Sequence, residues 1–353
     1  MRLDDPPYPR WVVLQLLEAC NLRCAMCYEW GATGAYHASS EPASLDLEIA
    51  KRVISDCLPA HPTFELFGGE PLLYPGIWDV LRLITDGGCE VAFPSNGTLV
   101  ERHVEGLVEC RATRLWVSLD GPQSINDAQR GPGVFARVMR GLELLAAEKR
   151  RRKSDVPEVG ICCVVTPDNH RHIEELFLHT LDLSRIARVS VELQSFATPD
   201  QYRDYATLLR ERFEVATAPV ARAYVREPAA FAAIERQAVA DQMEHVRQAC
   251  AERGVQFSSQ PRTFAPSDLD AYLRGDATAI PEARRRCALA WACAEISARG
   301  EVSTCHTFYD LSLGNVYQEP LLAIWRGEPA RRWRARLREG LLPICTACCR
   351  YYQ

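Results

Sequence analysis

Short apolar runs alternate with helical patterns through the first half of the chain. Strand candidates are Trp11–Leu17, Thr63–Phe67, Cys89–Phe93, Arg114–Leu119, Val159–Val165 and Arg188–Leu193. Helical periodicity lies between them. In Ser44–Leu58 the apolar positions are Leu47, Ala50, Val53, Ile54, Cys57 and Leu58, and Pro59 closes the segment. A second helix is expected over Val134–Arg152. This strand-then-helix rhythm repeats six times and predicts a parallel sheet covered by helices. Six units are too few for an eight-unit barrel, so residues 1–197 are expected to form a partial barrel, (β/α)6, or an open crescent.

The pattern then changes. Residues 198–253 read as mostly helical, with Phe231, Ile234, Met243, Val246 and Cys250 as the candidate buried face. Val255–Ser258 reads as one more strand, and the Pro-punctuated run Pro261 to Pro281 as a linker. Residues 198–282 thus form a connecting region. Residues 283–353 are expected to be a small second domain dominated by cysteines.

In parallel α/β folds the chemistry sits at the C-terminal ends of the strands, and the informative residues fall there. Cys20, Cys24 and Cys27 follow strand one at C-x3-C-x2-C spacing. Gly68, Gly69, Glu70 and Pro71 follow strand two. Pro94-Ser95-Asn96-Gly97 follows strand three, and Ser118-Leu119-Asp120-Gly121 closes strand four.

Composition narrows the function classes. A net charge of −5 argues against nucleic-acid binding as the main activity. The basic runs Lys149–Lys153, Arg284–Arg286 and Arg331–Arg338 read as solvated faces. With no signal peptide and no apolar stretch near ~20 residues, a cytoplasmic protein is expected. Fifteen cysteines in such a chain point to metal, not to disulfides.

Three thiolates can hold three corners of a cubane iron–sulfur cluster and leave the fourth iron open for chemistry. Zinc would call for four protein ligands, or three with histidine prominent. A second group comprises Cys287, Cys293, Cys305, Cys345, Cys348 and Cys349. Four of these could hold a second cluster, or zinc on spacing alone. Cys57, Cys89, Cys110, Cys162, Cys163 and Cys250 fall inside predicted elements and read as core.

The chain resembles the radical SAM superfamily, in its SPASM/Twitch subgroup. The matching residues are Cys20-Asn21-Leu22-Arg23-Cys24-Ala25-Met26-Cys27-Tyr28, Phe67-Gly68-Gly69-Glu70-Pro71-Leu72, Ser95-Asn96-Gly97-Thr98, Val117-Ser118-Leu119-Asp120-Gly121 and Arg130-Gly131. The resemblance implies a [4Fe–4S] cluster on Cys20, Cys24 and Cys27 whose open iron chelates S-adenosylmethionine (SAM). One-electron cleavage of SAM then yields a 5′-deoxyadenosyl radical that abstracts a substrate hydrogen. Tyr28, the Gly68–Pro71 turn, Ser95, Asn96, Ser118, Asp120 and Arg130 are the candidate SAM contacts. Met26 stands where the family usually has an aromatic residue.

The C-terminal cysteines resemble the start of a SPASM domain. Because the chain ends at Gln353, the shorter Twitch form with one auxiliary [4Fe–4S] cluster is expected. Cys305, Cys345 and Cys348 are its ligands, with Cys287 or Cys293 as the fourth and Cys349 as a spare or alternative thiol. His306 directly follows Cys305, where sulfatase-maturating relatives carry a carboxylate proposed as a base, so it is a candidate for proton removal. The first reading of the reaction is dehydrogenation of a small hydroxylated metabolite of cyclitol or aminoglycoside type, with the auxiliary cluster accepting an electron. The alternative is a peptide or protein maturase. The start of the first strand at Trp11 leaves no room for a leader-binding domain, which weighs toward the first reading. A flavodoxin- or ferredoxin-type reductant is the expected partner.

Overall fold

A computed structural model describes residues 6–276, 279–280 and 286–348. Cys349, Arg284, Arg285 and part of the expected linker lie outside the described residues. The expected strand–helix rhythm is present. In chain order it runs β1 (Trp11–Leu17), α1 (Leu47–Cys57), β2 (Thr63–Gly68), α2 (Ile77–Asp86), β3 (Val91–Ser95) and α3 (Val100–Glu109). Next come β4 (Arg114–Ser118), α4 (Gln123–Arg130), α5 (Val134–Arg152), β5 (Glu158–Val165) and β6 (Arg188–Leu193). The second half adds α6 (Pro199–Phe213), α7 (Pro219–Ala223), α8 (Arg236–Glu252), β7 (Gln256–Gln260), α9 (Pro266–Leu273), β8 (Cys293–Ile296), β9 (Val302–Ser303), α10 (Leu321–Arg326) and α11 (Glu328–Glu339).

The nine strands of the described residues share one sheet, in the order β7-β6-β5-β4-β3-β2-β1-β8-β9. Every pair is parallel except β8–β9. The order follows the chain from β1 to β7, as successive crossovers of one hand require. Helices cover the outer face, with Ala50, Val53, Ile54 and Cys57 of α1 packed into the core beside Val12, Leu14 and Leu66. Asp46 caps α1 by accepting from the backbone N–H groups of Glu48 and Ile49. The run Lys149–Lys153 closes α5 as a solvated, carboxylate-paired face, since Arg151 and Arg152 both pair with Glu148.

One expectation needs correction. The stretch read as a linker contains α9, whose Leu269, Ala271, Tyr272 and Leu273 are buried. Pro266 starts this helix, because proline fits a first helical turn. The C-terminal segment enters the barrel sheet through β8, with Trp11 opposite Cys293 and Leu14 opposite Ile296. Among the described residues no helix is long and apolar enough to cross a membrane.

Candidate functional site

The register of β1 on β2 slips between Gln15 and Leu17. Such an irregularity re-aims a strand end, and here the re-aimed chain becomes the loop of Cys20, Cys24 and Cys27. Gly68 and Gly69 lie against it. Gly68 has φ +142°, and a Cβ there would sit 2.3 Å from the Leu17 carbonyl oxygen. A Cβ on Gly69 would sit 2.2 Å from the Ala19 oxygen. The close approach these glycines permit is therefore that of the turn to the backbone of β1. Both also line the cleft in front of the cysteines.

That cleft is a cavity of about 360 Å³ at the C-terminal strand ends. Cys20, Cys24, Cys27, Tyr28, Gly68, Gly69, Ser95, Asn96, Ser118 and Arg130 all line it, and so does His306 from the C-terminal segment. Its volume is in the range of small-molecule sites, roughly 300–1,000 Å³. A larger cavity, about 670 Å³, lies beside α5 and holds none of the expected site residues.

Glu70, Pro71 and Asp120 do not line the cleft; they brace it from behind. Glu70 is fully buried. Its carboxylate accepts from Ser95 Oγ at 2.9 Å, the Asn96 N–H at 2.7 Å and the Leu72 N–H at 3.2 Å, tying the end of β2 to the end of β3. Burial pushes its pKa up to about 7. Asp120 accepts from the Val164 N–H at 2.9 Å and contacts Arg130 Nε at 2.6 Å, so Arg130 reaches the cleft already paired. A ladder the sequence did not suggest joins the cysteine loop to β3. Asn96 Nδ2 donates to Asn21 Oδ1 at 2.8 Å, and Asn21 Nδ2 donates to Thr98 Oγ1 at 2.9 Å.

The three thiols are set up to be ligands. The Leu22 N–H donates to Cys20 Sγ at 3.4 Å and the Trp30 N–H to Cys27 Sγ at 3.3 Å. Burial pushes the Cys20 thiol up to about 12 and raises Cys24 and Cys27 as well. Thiols held this way stay protonated until a cation displaces the proton. Three thiols on one wall of the cleft are a donor set that fits an iron–sulfur cluster.

Cys287, Cys305, Cys345 and Cys348 meet at a second cavity of about 240 Å³, walled by Trp11, Phe308, Trp333, Leu337 and Leu342 among others. The Phe308 N–H donates to Cys305 Sγ and the Leu342 N–H to Cys345 Sγ, each at 3.3 Å. Thr307 Oγ1 lies 3.1 Å from Cys348 Sγ. Burial raises the Cys305 and Cys345 thiols, the latter to about 12. Four thiols around an apolar void fit an iron–sulfur cluster. Cys293 is fully buried in β8 and is not among the residues that line this void.

The two cavities share one segment. Cys305 walls the second while His306, Thr307 and Tyr309 wall the first. His306 Nδ1 is 2.7 Å from Glu295 Oε2, and its ring lies 4.7 Å from that of Trp11. Glu295, Glu29, Glu192, Tyr224 and Tyr309 escaped the sequence reading. Glu295 had a signal, as the single charge inside the apolar strand β8. Glu29 receives Gln15 Nε2 at 2.9 Å, and burial pushes its pKa up to about 8. Tyr28 stacks on Tyr224 at 3.8 Å and donates to the Ser195 carbonyl at 2.5 Å, closing the cleft against α7. Nothing in the sequence marked Tyr224.

Three thiols of this parallel crescent line one cleft, and four more line a neighbouring void. The family model of the radical SAM superfamily matches residues 14–180, and a second model, SPASM, an iron–sulfur cluster-binding domain, matches residues 287–349. The radical SAM domain binds a [4Fe–4S] cluster and SAM, and the SPASM domain binds auxiliary clusters.

Similar curated proteins include an AdoMet-dependent heme synthase from Methanosarcina barkeri, 34% identical over 51% of this chain and 49% of the relative. A mycofactocin maturase from Mycobacterium ulcerans is 31% identical over 49% of this chain and 44% of the relative. The chain thus spans about half the length of the curated relatives it matches. Among solved structures, Streptococcus suis SuiB bound to S-adenosylmethionine superposes with a TM-score of 0.62 at 16% identity. The match covers 92% of this chain and 67% of SuiB, a likeness of fold.

Proposed function

We propose that this protein is a radical SAM oxidoreductase that modifies a peptide or protein side chain. Cys20, Cys24 and Cys27 hold the SAM-binding cluster, and Cys287, Cys305, Cys345 and Cys348 hold one auxiliary [4Fe–4S] cluster. The observation that carries the reading is the shared segment. Cys305 lines the four-thiol void and His306, the next residue, lines the cleft.

A cluster and SAM bound there would supply one-electron reductive cleavage and hydrogen-atom abstraction. The chain's own residues do the rest. Ser95, Asn96, Ser118 and Arg130 bind and orient the methionyl and ribose groups on the cleft wall. Arg130, its charge balanced by Asp120, meets the methionyl carboxylate. Tyr28 and Tyr224 shield the cleft from water. Glu295 holds the His306 ring at the cleft wall, where the imidazole would take the substrate proton. Four thiols beside that position suit a site where the second electron departs.

The names of the relatives support the substrate class, since a mycofactocin maturase and a cysteine-type anaerobic sulfatase-maturating enzyme are among them. A cyclitol-type substrate draws no such support. A flavodoxin- or ferredoxin-type protein is the proposed reductant.

The test is anaerobic incubation of the reconstituted enzyme with SAM, reductant and candidate precursor peptides encoded near its gene. Mass spectrometry should show a peptide two hydrogens lighter, one SAM consumed per product, and deuterium passing from the reacting carbon to 5′-deoxyadenosine. If only a small hydroxylated metabolite is oxidised, the peptide reading fails.

A further inference from the structure

Thr304 stands between β9 and the thiol of Cys305. It lines the four-thiol void and is 2% exposed, yet its hydroxyl oxygen has no hydrogen-bond partner among the described residues. The hydroxyls on either side of it are engaged. Ser303 Oγ accepts from the Cys305 N–H at 3.1 Å, and Thr307 Oγ1 lies 3.1 Å from Cys348 Sγ. Thr304 is the exception in this turn. It also carries the one side-chain hydroxyl among the described residues that line the void.

A buried hydroxyl without a partner is destabilising, and buried polar groups almost always find one. Valine has nearly the same shape and would fill the position with no unmet polar group. The backbone here is also held in place. Val302 pairs with Ile296 of β8, and its carbonyl accepts from the Leu313 N–H at 2.8 Å. A partner for the hydroxyl is therefore to be sought in what the void holds. An iron–sulfur group would present sulfide and thiolate sulfurs there, all of them acceptors. The void offers little else to balance its charge. Leu289, Trp333, Leu337 and Leu342 make its walls apolar, and Arg286 is exposed, so solvent screens its cation. A single donor counts for more in such surroundings than in water.

We propose that Thr304 donates its hydroxyl hydrogen bond to the iron–sulfur group of the void and raises the reduction potential of that group. The inference rests on the reading of the four thiols as an iron–sulfur site. Its direction follows from charge. Reduction by one electron makes the group more negative, so a donor stabilises the reduced form more than the oxidised form. That sign suits a site that takes up an electron from the neighbouring cleft.

The test is a potentiometric titration of the anaerobically reconstituted holoenzyme, with dithionite as reductant and electron paramagnetic resonance as readout. Two clusters should titrate in wild type, and C345S removes the one in the void. In T304V the equilibrium constant for reducing that cluster should fall by about tenfold, which is ~59 mV for a one-electron couple. The other cluster should keep its wild-type value. T304S retains the hydroxyl and should stay within about twofold of wild type. Pulsed resonance of protein reconstituted in heavy water should show a coupled deuteron in wild type and T304S that is missing from T304V. If T304V does not take up iron, T304A makes the same comparison with a smaller side chain. A wild-type potential in the variant without the hydroxyl overturns the proposal. So does an equal shift of both clusters, which marks a general disturbance of the fold. A single cluster in wild type, lost in C20A, sinks the four-thiol reading together with the role of Thr304. Two clusters with no response to Thr304 sink that role alone.

Discussion

Glu70→Gln probes the brace behind the cleft. The carboxylate accepts from Asn96 N–H with one oxygen and from Ser95 Oγ and Leu72 N–H with the other. Glutamine replaces one oxygen with a donor, which turns an acceptor toward a donor in a fully buried site. An unmet buried group costs about 1–3 kcal/mol. The pH dependence makes the prediction sharper. Burial raises Glu70 from 4.5 to about 7 in the folded chain. Below the unfolded value the acid is neutral in both states and there is no penalty. As pH rises through about 7 the folded state must ionise a buried group, and stability is lost. At roughly 1.4 kcal/mol per pH unit between the two values, the loss is about 3 kcal/mol. With about 2.1 cal/mol/K per residue, this chain's melting temperature should drop about 4 °C. Differential scanning fluorimetry of the cluster-free protein from about pH 5 to 8.5, wild type against variant, isolates the effect from other titrating groups. The variant should melt lower than wild type at pH 5 and draw level or pass it at pH 8.5. A constant difference across the range would refute the reasoning.

Other substitutions test the remaining assignments. Anaerobic reconstitution should give about eight iron per chain from two cubanes. Cys287→Ser should lose the iron of one cubane, and Cys293→Ser should keep all of it. Cys20→Ala, Cys24→Ala or Cys27→Ala should abolish reductive SAM cleavage. By contrast, Cys305→Ala or Cys348→Ala should retain some 5′-deoxyadenosine but lose coupled product, as chromatography of quenched reactions would show. Gly69→Ala places a Cβ 2.2 Å from the Ala19 oxygen. It should displace the cysteine loop and weaken SAM binding in equilibrium dialysis at least about tenfold; wild-type affinity would mean the loop yields.

Much of the molecule was legible in its residues. Six strands, the helix Val134–Arg152 and the buried positions Phe231, Ile234, Met243, Val246 and Cys250 follow from apolar periodicity, a local property written along the chain. The cysteine triad and the Gly68-Gly69 turn were readable because ligand spacing and turn chemistry are local too. What the sequence could not decide is what depends on distant pairing. Which of Cys287 and Cys293 lines the void depends on β8 joining β1, which buries Cys293 in the sheet and leaves Cys287 on the void. Glu70, Pro71 and Asp120 were read as ligand contacts because their motif adjoins the cleft. Whether such a group faces the cleft or its back depends on side-chain direction in the folded layers. Tyr28 and Tyr224 are 196 positions apart in the chain, and Glu295 meets His306 across the antiparallel pairing of β8 with β9. The sequence alone determined the local elements and the donor chemistry. Only the tertiary structure decided which donors share a cavity, because that is set by long-range strand pairing, which leaves no periodic mark in the chain.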